Sequence, residues 1–139
     1  MNQAATPALR AWVAKRAGHR CEYCLLQEDD AVLPHEVDHI IASQHGGPTA
    51  PENLSLSCWD CNHLKGPNLA SVDPISGDVV RLFDPRQDCW AEHFQLDGPR
   101  ILGLTSKGRV TVFLLQFNAP ERVRQRLDLQ HLGRYPRRG

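Results

Sequence analysis

The stretch EVDHIIASQHGGPTAPENLSLSCWDCNHLKG, from Glu36 to Gly66, brings together Asp-His, Gly-Gly-Pro, Asn-Leu and Cys-x-x-Cys-Asn-His. The β-branched residues and isoleucines around Asp38 favour a strand or hairpin arm, and Gly-Gly-Pro marks a turn. The segment ENLSLSC fits a second strand or an irregular link, and residues 60–69 fit a short helix that Pro67 ends or kinks. The stretch therefore predicts short extended segments followed by a helix.

The chain contains two Cys-x-x-Cys pairs: Cys21 and Cys24 precede this stretch, and Cys58 and Cys61 lie near its end. The N-terminus lacks the apolar run of a signal peptide, and no segment is long enough to cross a membrane, which favours a cytoplasmic protein with reduced thiols. Four thiolates satisfy tetrahedral zinc and leave no open position for water, so they predict a structural zinc site. Two disulfides or a redox motif are the alternatives, although the sequence shows no βαβ context for the latter. We expect Cys89 to be a packed core thiol.

The charge is distributed unevenly along the 139 residues, which are few enough for a single domain. The chain has 16 basic and 16 acidic residues, yet residues 1–20 contain four basic residues and no acid. Residues 121–139 contain six arginines and two acids, so each end carries +4 and the middle −8. An acidic centre between basic flanks suits cations bound beside a polyanion, and solvated termini around an acidic surface fit equally well.

The remaining elements are short. Thr6-Pro7 predicts a helix start, with Gly18 after its end, and the helical spacing falls on Leu9, Trp12, Val13 and Ala17. GDVVRLF and HFQLDGPRILGLT predict strands, the latter around an Asp97-Gly98 turn. The spacing of apolar residues predicts a helix over 106–117, although a strand with Val110, Val112 and Leu114 on one face is the alternative. Pro120 begins a last predicted helix.

The polar residues enclosed by the cysteine pairs suit phosphodiester hydrolysis. A neutral imidazole such as His39 can take a proton from water near neutral pH. Oxygen ligands such as Asp38 and Asn62 suit a hard cation that stabilises the charge of the transition state. Taken singly, each residue has a simpler reading: a lone histidine usually fills a structural position, and Asn53 before Leu54 fits a plain turn or cap.

Together, the segments CEYC, EVDHIIASQHGG, ENLSLSC and CWDCNHLKG resemble the HNH endonuclease family, in its subgroup with a four-cysteine zinc. The resemblance is close over residues 8–67, and HFQLDGPRILGLTSKGRVTVFLLQFN is similar to the C-terminal half of small bacterial HNH proteins. It implies an α+β fold with a ββα-metal (His-Me finger) core, extended by short strands and C-terminal helices. One domain over residues 1–139 is then expected, with a core at 8–67 and an extension at 68–139 packing on it.

The resemblance also implies roles for single residues. Asp38 corresponds to the first ligand of a catalytic ion, His39 to the general base, and Asn53 to the residue that holds the inter-strand loop and orients the base. Asn62 occupies the position of the last ligand, and adjacent helical residues point about 100° apart. If the helix begins late, His63 takes that place and favours a softer metal.

The implied activity is metal-dependent hydrolysis of DNA by a monomer, as nicking with weak sequence specificity and with Mg²⁺ or Mn²⁺ as the catalytic ion. RNA is a further possible partner, and a non-catalytic, zinc-stapled nucleic-acid-binding module is the alternative. We expect His35 and His45 to be surface residues. Phosphate contacts are expected from basic side chains, which otherwise serve as solvated or scaffold residues: Lys65, Arg122, Arg124, Arg126 and the Arg137-Arg138 tail.

Overall fold

The structure, a computed structural model, describes residues 4–137. Its helices and short antiparallel strands make the fold α+β, as expected. The chain divides into two compact units, with the boundary between Leu69 and Ala70. That boundary lies two residues beyond the predicted limit of the core. Packing of the extension on the core stays a prediction, and Arg138 of the basic tail lies outside the described residues.

The first unit contains two helices and one two-stranded sheet. These are α1 (Pro7–Arg16), β1 (Glu36–His39), β2 (Leu54–Ser57) and α2 (Trp59–Lys65). The strands pair antiparallel, with Asp38 opposite Ser55 and His39 opposite Leu54. The predicted order of extended segments and helix is therefore confirmed, and α2 ends at Lys65, with Gly66 as its C-cap directly before Pro67.

Helix α1 begins where the sequence predicts. The Thr6 hydroxyl accepts a hydrogen bond from the Leu9 amide, and Pro7 occupies the first helical position. Val13 is buried with Leu54 and Leu56 of β2, so α1 covers one face of the hairpin. Trp12 shares the helical spacing of Val13, yet its side chain is 49% exposed and lies under the Arg16 guanidinium.

The second unit consists of two hairpins and three helices. The hairpins are β3 (Ala70–Val72) with β4 (Val79–Arg81) and β5 (Phe94–Asp97) with β6 (Arg100–Gly103). The helices are α3 (Trp90–His93), α4 (Ser106–Leu114) and α5 (Pro120–His131). Helix α4 confirms the helical interpretation of residues 106–117 over most of that range, and the predicted turn joins β5 to β6.

Two close contacts fix α4 in the second unit. A Cβ atom on Gly108 would lie 2.0 Å from the His93 carbonyl oxygen, so only glycine allows this approach. Asp73 is fully buried, and its carboxylate accepts hydrogen bonds from Arg109 Nε at 3.1 Å and Nη2 at 2.8 Å. The Arg109 guanidinium holds the pKa of the Asp73 carboxyl well below its usual range.

Cys89, expected in the core, is exposed.

Candidate active site and zinc site

The four cysteines of the two pairs meet in one buried cluster. Their sulfur atoms all lie within 4.8 Å of one another, and the Cys24 and Cys58 sulfurs are 3.7 Å apart. Tetrahedral zinc with bonds of about 2.3 Å requires sulfurs about 3.8 Å apart, so the cluster has the right size. The structure shows all four cysteines as free thiols and not as the two disulfides of the alternative interpretation.

The surroundings of the sulfurs also fit zinc. The Cys24 and Cys61 amides donate to the sulfurs of Cys21 and Cys58, each at 3.4 Å. Such hydrogen bonds favour thiolates, whereas burial alone raises the pKa of the Cys21 and Cys61 thiols. A bound cation resolves this conflict by stabilising the deprotonated form. The cluster therefore fits a structural zinc ion and leaves no open position for chemistry.

Asn53 pins the loop between β1 and β2. Its side-chain oxygen accepts from the Ile41 amide at 2.9 Å, and its amide group donates to the carbonyls of Ile41 at 2.9 Å and Pro48 at 2.8 Å. A Cβ atom on Gly47 would lie 1.7 Å from the Ile41 oxygen, which explains the glycine in this loop. The contacts agree with the predicted loop-holding role of Asn53, and its effect on His39 stays a prediction.

His39 lies at the end of β1 and is half-buried. Its Nε2 atom lies 2.9 Å from the Thr49 hydroxyl oxygen. Thr49 belongs to the loop that Asn53 holds, so the loop carries a direct contact to the imidazole. Thr49 was not predicted from the sequence, because a threonine in a turn-rich segment gives no pattern that distinguishes it from any other loop residue.

Asp38 has partners that the sequence did not predict. Its carboxylate is 5% exposed, accepts from the Tyr23 hydroxyl at 2.9 Å, and lies 3.3 Å from the Lys65 ammonium. The hydroxyl of Ser55 lies 3.5 Å from the same oxygen. Burial raises the pKa of the Asp38 carboxyl, and Lys65 and Tyr23 oppose that shift. Asp38 is therefore part of a buried polar network within the hairpin.

Lys65 is buried, contrary to the expected phosphate contact. Besides Asp38, its ammonium group donates to the carbonyl oxygens of His39 and Ile40, each at 3.2 Å. Three acceptors inside the unit occupy the three donors of the ammonium group. The sequence contained a signal for this burial, because Lys65 follows Cys61 of the buried cysteine cluster by four residues and so shares its face of α2.

Glu36 contacts both residues that could be the last ligand of the catalytic ion, Asn62 and His63. Its carboxylate accepts from the Asn62 side-chain amide at 2.7 Å and lies 3.1 Å from His63 Nε2. A carboxylate only accepts hydrogen bonds, so Asn62 must turn its NH₂ group to Glu36 and its oxygen elsewhere. Glu36 was not predicted from the sequence, although the two-residue period of β1 places it on the same face as Asp38.

One open cleft of the first unit is lined by three of the predicted active-site residues. It has a volume of about 420 Å³, and Asp38, His39 and Asn62 line it. His63 does not line this cleft; its ring stacks on Trp59 with 4.0 Å between ring centroids. The carboxylate and amide oxygens of the cleft are donors that suit a hard divalent cation, so these residues fit such an ion.

The match to a known family covers this part of the chain. The HNH endonuclease family model matches residues 21–68, which contain the four-cysteine cluster, β1, β2 and α2. The resemblance to HNH endonucleases is confirmed. We call residues 21–68 the HNH segment. Comparisons with curated proteins and with solved structures give no match.

The arginines expected to bind DNA lie outside the HNH segment, and two of them face inward. Arg122 and Arg126 are 5% and 3% exposed, and their guanidinium groups donate to backbone carbonyls of the second unit, among them Leu115 and Pro99. Spacing of four residues on α5 puts both on its packed face. Arg124 is exposed and lies 3.7 Å from Asp128, so it alone of the three is placed for a phosphate contact.

Two further expectations concern the histidines and the membrane. His45 is exposed as expected, whereas His35 is buried and its Nε2 donates to the Leu26 carbonyl at 2.8 Å. Within residues 4–137, none of the helices has the length and apolar character needed to span a bilayer.

Proposed function

We propose that this chain is a metal-dependent endonuclease that nicks DNA at the cleft of the HNH segment. The observation that carries the proposal is the support of His39. Its imidazole contacts Thr49 in a loop pinned by Asn53, and it shares one cleft with Asp38 and Asn62. A side chain held in this way is suited to a fixed role in proton transfer.

The contacts of His39 indicate a different role for each of its ring nitrogens. Nε2 is engaged with the Thr49 hydroxyl, so Nδ1 is the nitrogen available to the cleft. When Nε2 carries the proton and donates it to Thr49, Nδ1 has the lone pair of a base. In the proposed reaction, Nδ1 removes a proton from the attacking water.

Asp38 and Asn62 would hold the catalytic ion. When bound there, a hard divalent cation neutralises charge on the scissile phosphate and on the leaving oxygen. Glu36 accepts from the amide NH₂ of Asn62, so it directs the amide oxygen away from itself and makes that oxygen available as a ligand. This orientation favours Asn62 over His63, whose Nε2 contacts Glu36. Magnesium or manganese is then expected to support activity better than zinc or nickel.

The pattern of cutting follows from one base and one ion site per chain. A monomer breaks one strand in each event, so supercoiled plasmid should become nicked circles before linear DNA accumulates. Weak sequence specificity is expected, because residues 4–137 contain no separate module for reading bases in the major groove.

A second function is favoured by the network around Asp38. The carboxylate lies against a buried lysine, and a cation in the cleft would have to share it with Lys65. A chain that binds nucleic acid without cutting it would need the zinc cluster and would tolerate this arrangement. The alternative is therefore a non-catalytic, zinc-stapled nucleic-acid-binding module.

Plasmid nicking distinguishes the two functions. Zinc-loaded protein is incubated with supercoiled plasmid and Mg²⁺ or Mn²⁺, and we compare wild type with His39→Ala and with His45→Ala. His45 is an exposed histidine of the same inter-strand loop, so His45→Ala is the matched control. We expect His39→Ala to keep its zinc and lose about two to four orders of magnitude in rate. Equal nicking by pure His39→Ala would refute the base, and DNA binding without nicking by wild type would establish the alternative.

A further inference from the structure

A second pocket opens beside the cleft in the first unit. It has a volume of about 500 Å³ and shares Ala4, Val37 and His39 with the cleft as lining residues. Its other walls include Arg10 of α1 and Trp59 of α2. Because His39 belongs to both walls, any molecule that occupies this pocket lies directly beside the proposed base.

Trp59 gives the pocket an aromatic wall. Its side chain is 45% exposed, although tryptophan usually buries most of its surface. The ring is fixed, because His63 stacks on it at an interplanar angle of 22° and Glu36 lies 3.1 Å from His63 Nε2. His63 covers one face of the indole, so the opposite face is the one available to a flat ligand. A preorganised aromatic face of this kind suits a nucleobase.

Polar groups at the pocket suit the rest of a nucleotide. Arg10 is exposed, and its guanidinium has no hydrogen bond or ion pair among residues 4–137. Arginine binds phosphate through paired N–H donors. His35 also lines the pocket; with its Nε2 proton donated to Leu26, its buried Nδ1 is an acceptor without a hydrogen-bond partner in the described structure.

We propose that this pocket binds one unpaired nucleotide of the substrate, next to the phosphate that is cut. Its base stacks on Trp59, and its phosphate contacts Arg10. A base inside a duplex already stacks on its neighbours, so it reaches Trp59 only in single-stranded, frayed or flipped form. The proposal rests on the proposed function and adds a substrate class to it: the site prefers DNA with an unpaired base beside the cut.

Binding without cleavage tests the stacking. Fluorescence anisotropy measures the affinity for an oligothymidylate and for an abasic oligonucleotide of the same length, without magnesium or manganese. Wild type should bind the oligothymidylate about 10-fold more tightly, because stacking of each base on an aromatic ring is favourable. Trp59→Ala should lose this preference, and Trp59→Phe should retain most of it. Trp12→Ala removes a tryptophan of similar exposure outside the pocket and should behave as wild type.

Arg10 is tested by the salt dependence of the same affinities. Arg10→Ala should weaken binding of both oligonucleotides equally and reduce the slope of log affinity against log salt by about 0.7, the value for one phosphate contact on a single strand. Trp59→Ala should leave that slope unchanged. Zinc content and far-UV circular dichroism establish that each variant is folded before its affinity is compared.

The outcomes separate this proposal from the proposed function. If folded, zinc-loaded Trp59→Ala keeps the preference for bases, or if wild type has none, the nucleotide pocket is refuted whether or not plasmid is nicked. If base-dependent binding through Trp59 is found but wild type nicks no DNA, the pocket stands and the catalytic proposal fails. A preference for a perfectly paired duplex over the oligothymidylate would also overturn the pocket.

Discussion

Replacement of Lys65 by methionine tests the buried network under the candidate active site. Methionine has a similar length and no charge, so the change removes an ion pair to Asp38 and hydrogen bonds to the His39 and Ile40 carbonyls. The two side chains of the pair are 3% and 5% exposed. Loss of one partner from a buried ion pair costs about 3–5 kcal/mol, since the other charge is left in a medium of low polarity.

The two carbonyls add to this effect in a smaller way. Each carbonyl loses a hydrogen-bond donor, which costs about 1 kcal/mol. We count this loss within the destabilisation of about 3–5 kcal/mol expected for the broken ion pair. An exposed, phosphate-binding lysine would behave differently: its replacement would change stability by less than about 0.5 kcal/mol and would weaken DNA binding. The magnitude of the destabilisation therefore decides between a buried and an exposed Lys65.

Urea unfolding of the zinc-loaded protein near neutral pH measures the effect. Lys15→Met is the matched control, because Lys15 is an exposed lysine of α1. A second variant, Lys65→Met with Asp38→Leu, removes both charges and should be more stable than Lys65→Met alone, since no unpaired charge remains. A free energy of unfolding for Lys65→Met within about 0.5 kcal/mol of the control would refute the buried ion pair.

Three further predictions concern other parts of the chain. Cys24→Ser should lose zinc by elemental analysis and unfold the first unit, whereas exposed Cys89→Ser should change neither; a zinc-free, folded wild type would contradict this. Arg109 lowers the pKa of Asp73, so the ion pair between them stabilises the fold above the ordinary carboxyl pKa of about 3.9. This stabilisation is lost as the pH falls below that value and Asp73 becomes protonated. Asp73→Asn should flatten this acid dependence in urea titrations, and an unchanged profile would contradict it. Thr49→Val should keep zinc and fold yet slow nicking about 10- to 100-fold, whereas an unaltered rate would exclude support of His39 by Thr49.

The sequence alone determined the four-cysteine cluster and the order of the short elements around it. Paired Cys-x-x-Cys spacings are local signals, because each pair places two sulfurs on one turn whatever the rest of the chain does. The Thr6 cap and the strand and helix patterns are local in the same sense. The contacts of Asn53 are also local, since its three hydrogen bonds all reach the loop that precedes it, at Ile41 and Pro48.

Only the tertiary structure decided which acceptors meet the buried charged residues and what surrounds the active-site side chains. Lys65, Arg122 and Arg126 carry full charges, which in sequence indicate exposure, yet each is buried where several acceptors converge on it. Convergence of this kind depends on segments far apart in the chain, as when Tyr23 of the first cysteine pair reaches Asp38 of β1. Desolvation of a charge is costly unless partners are in place, and the position of partners is a property of packing that spacing along the chain does not encode.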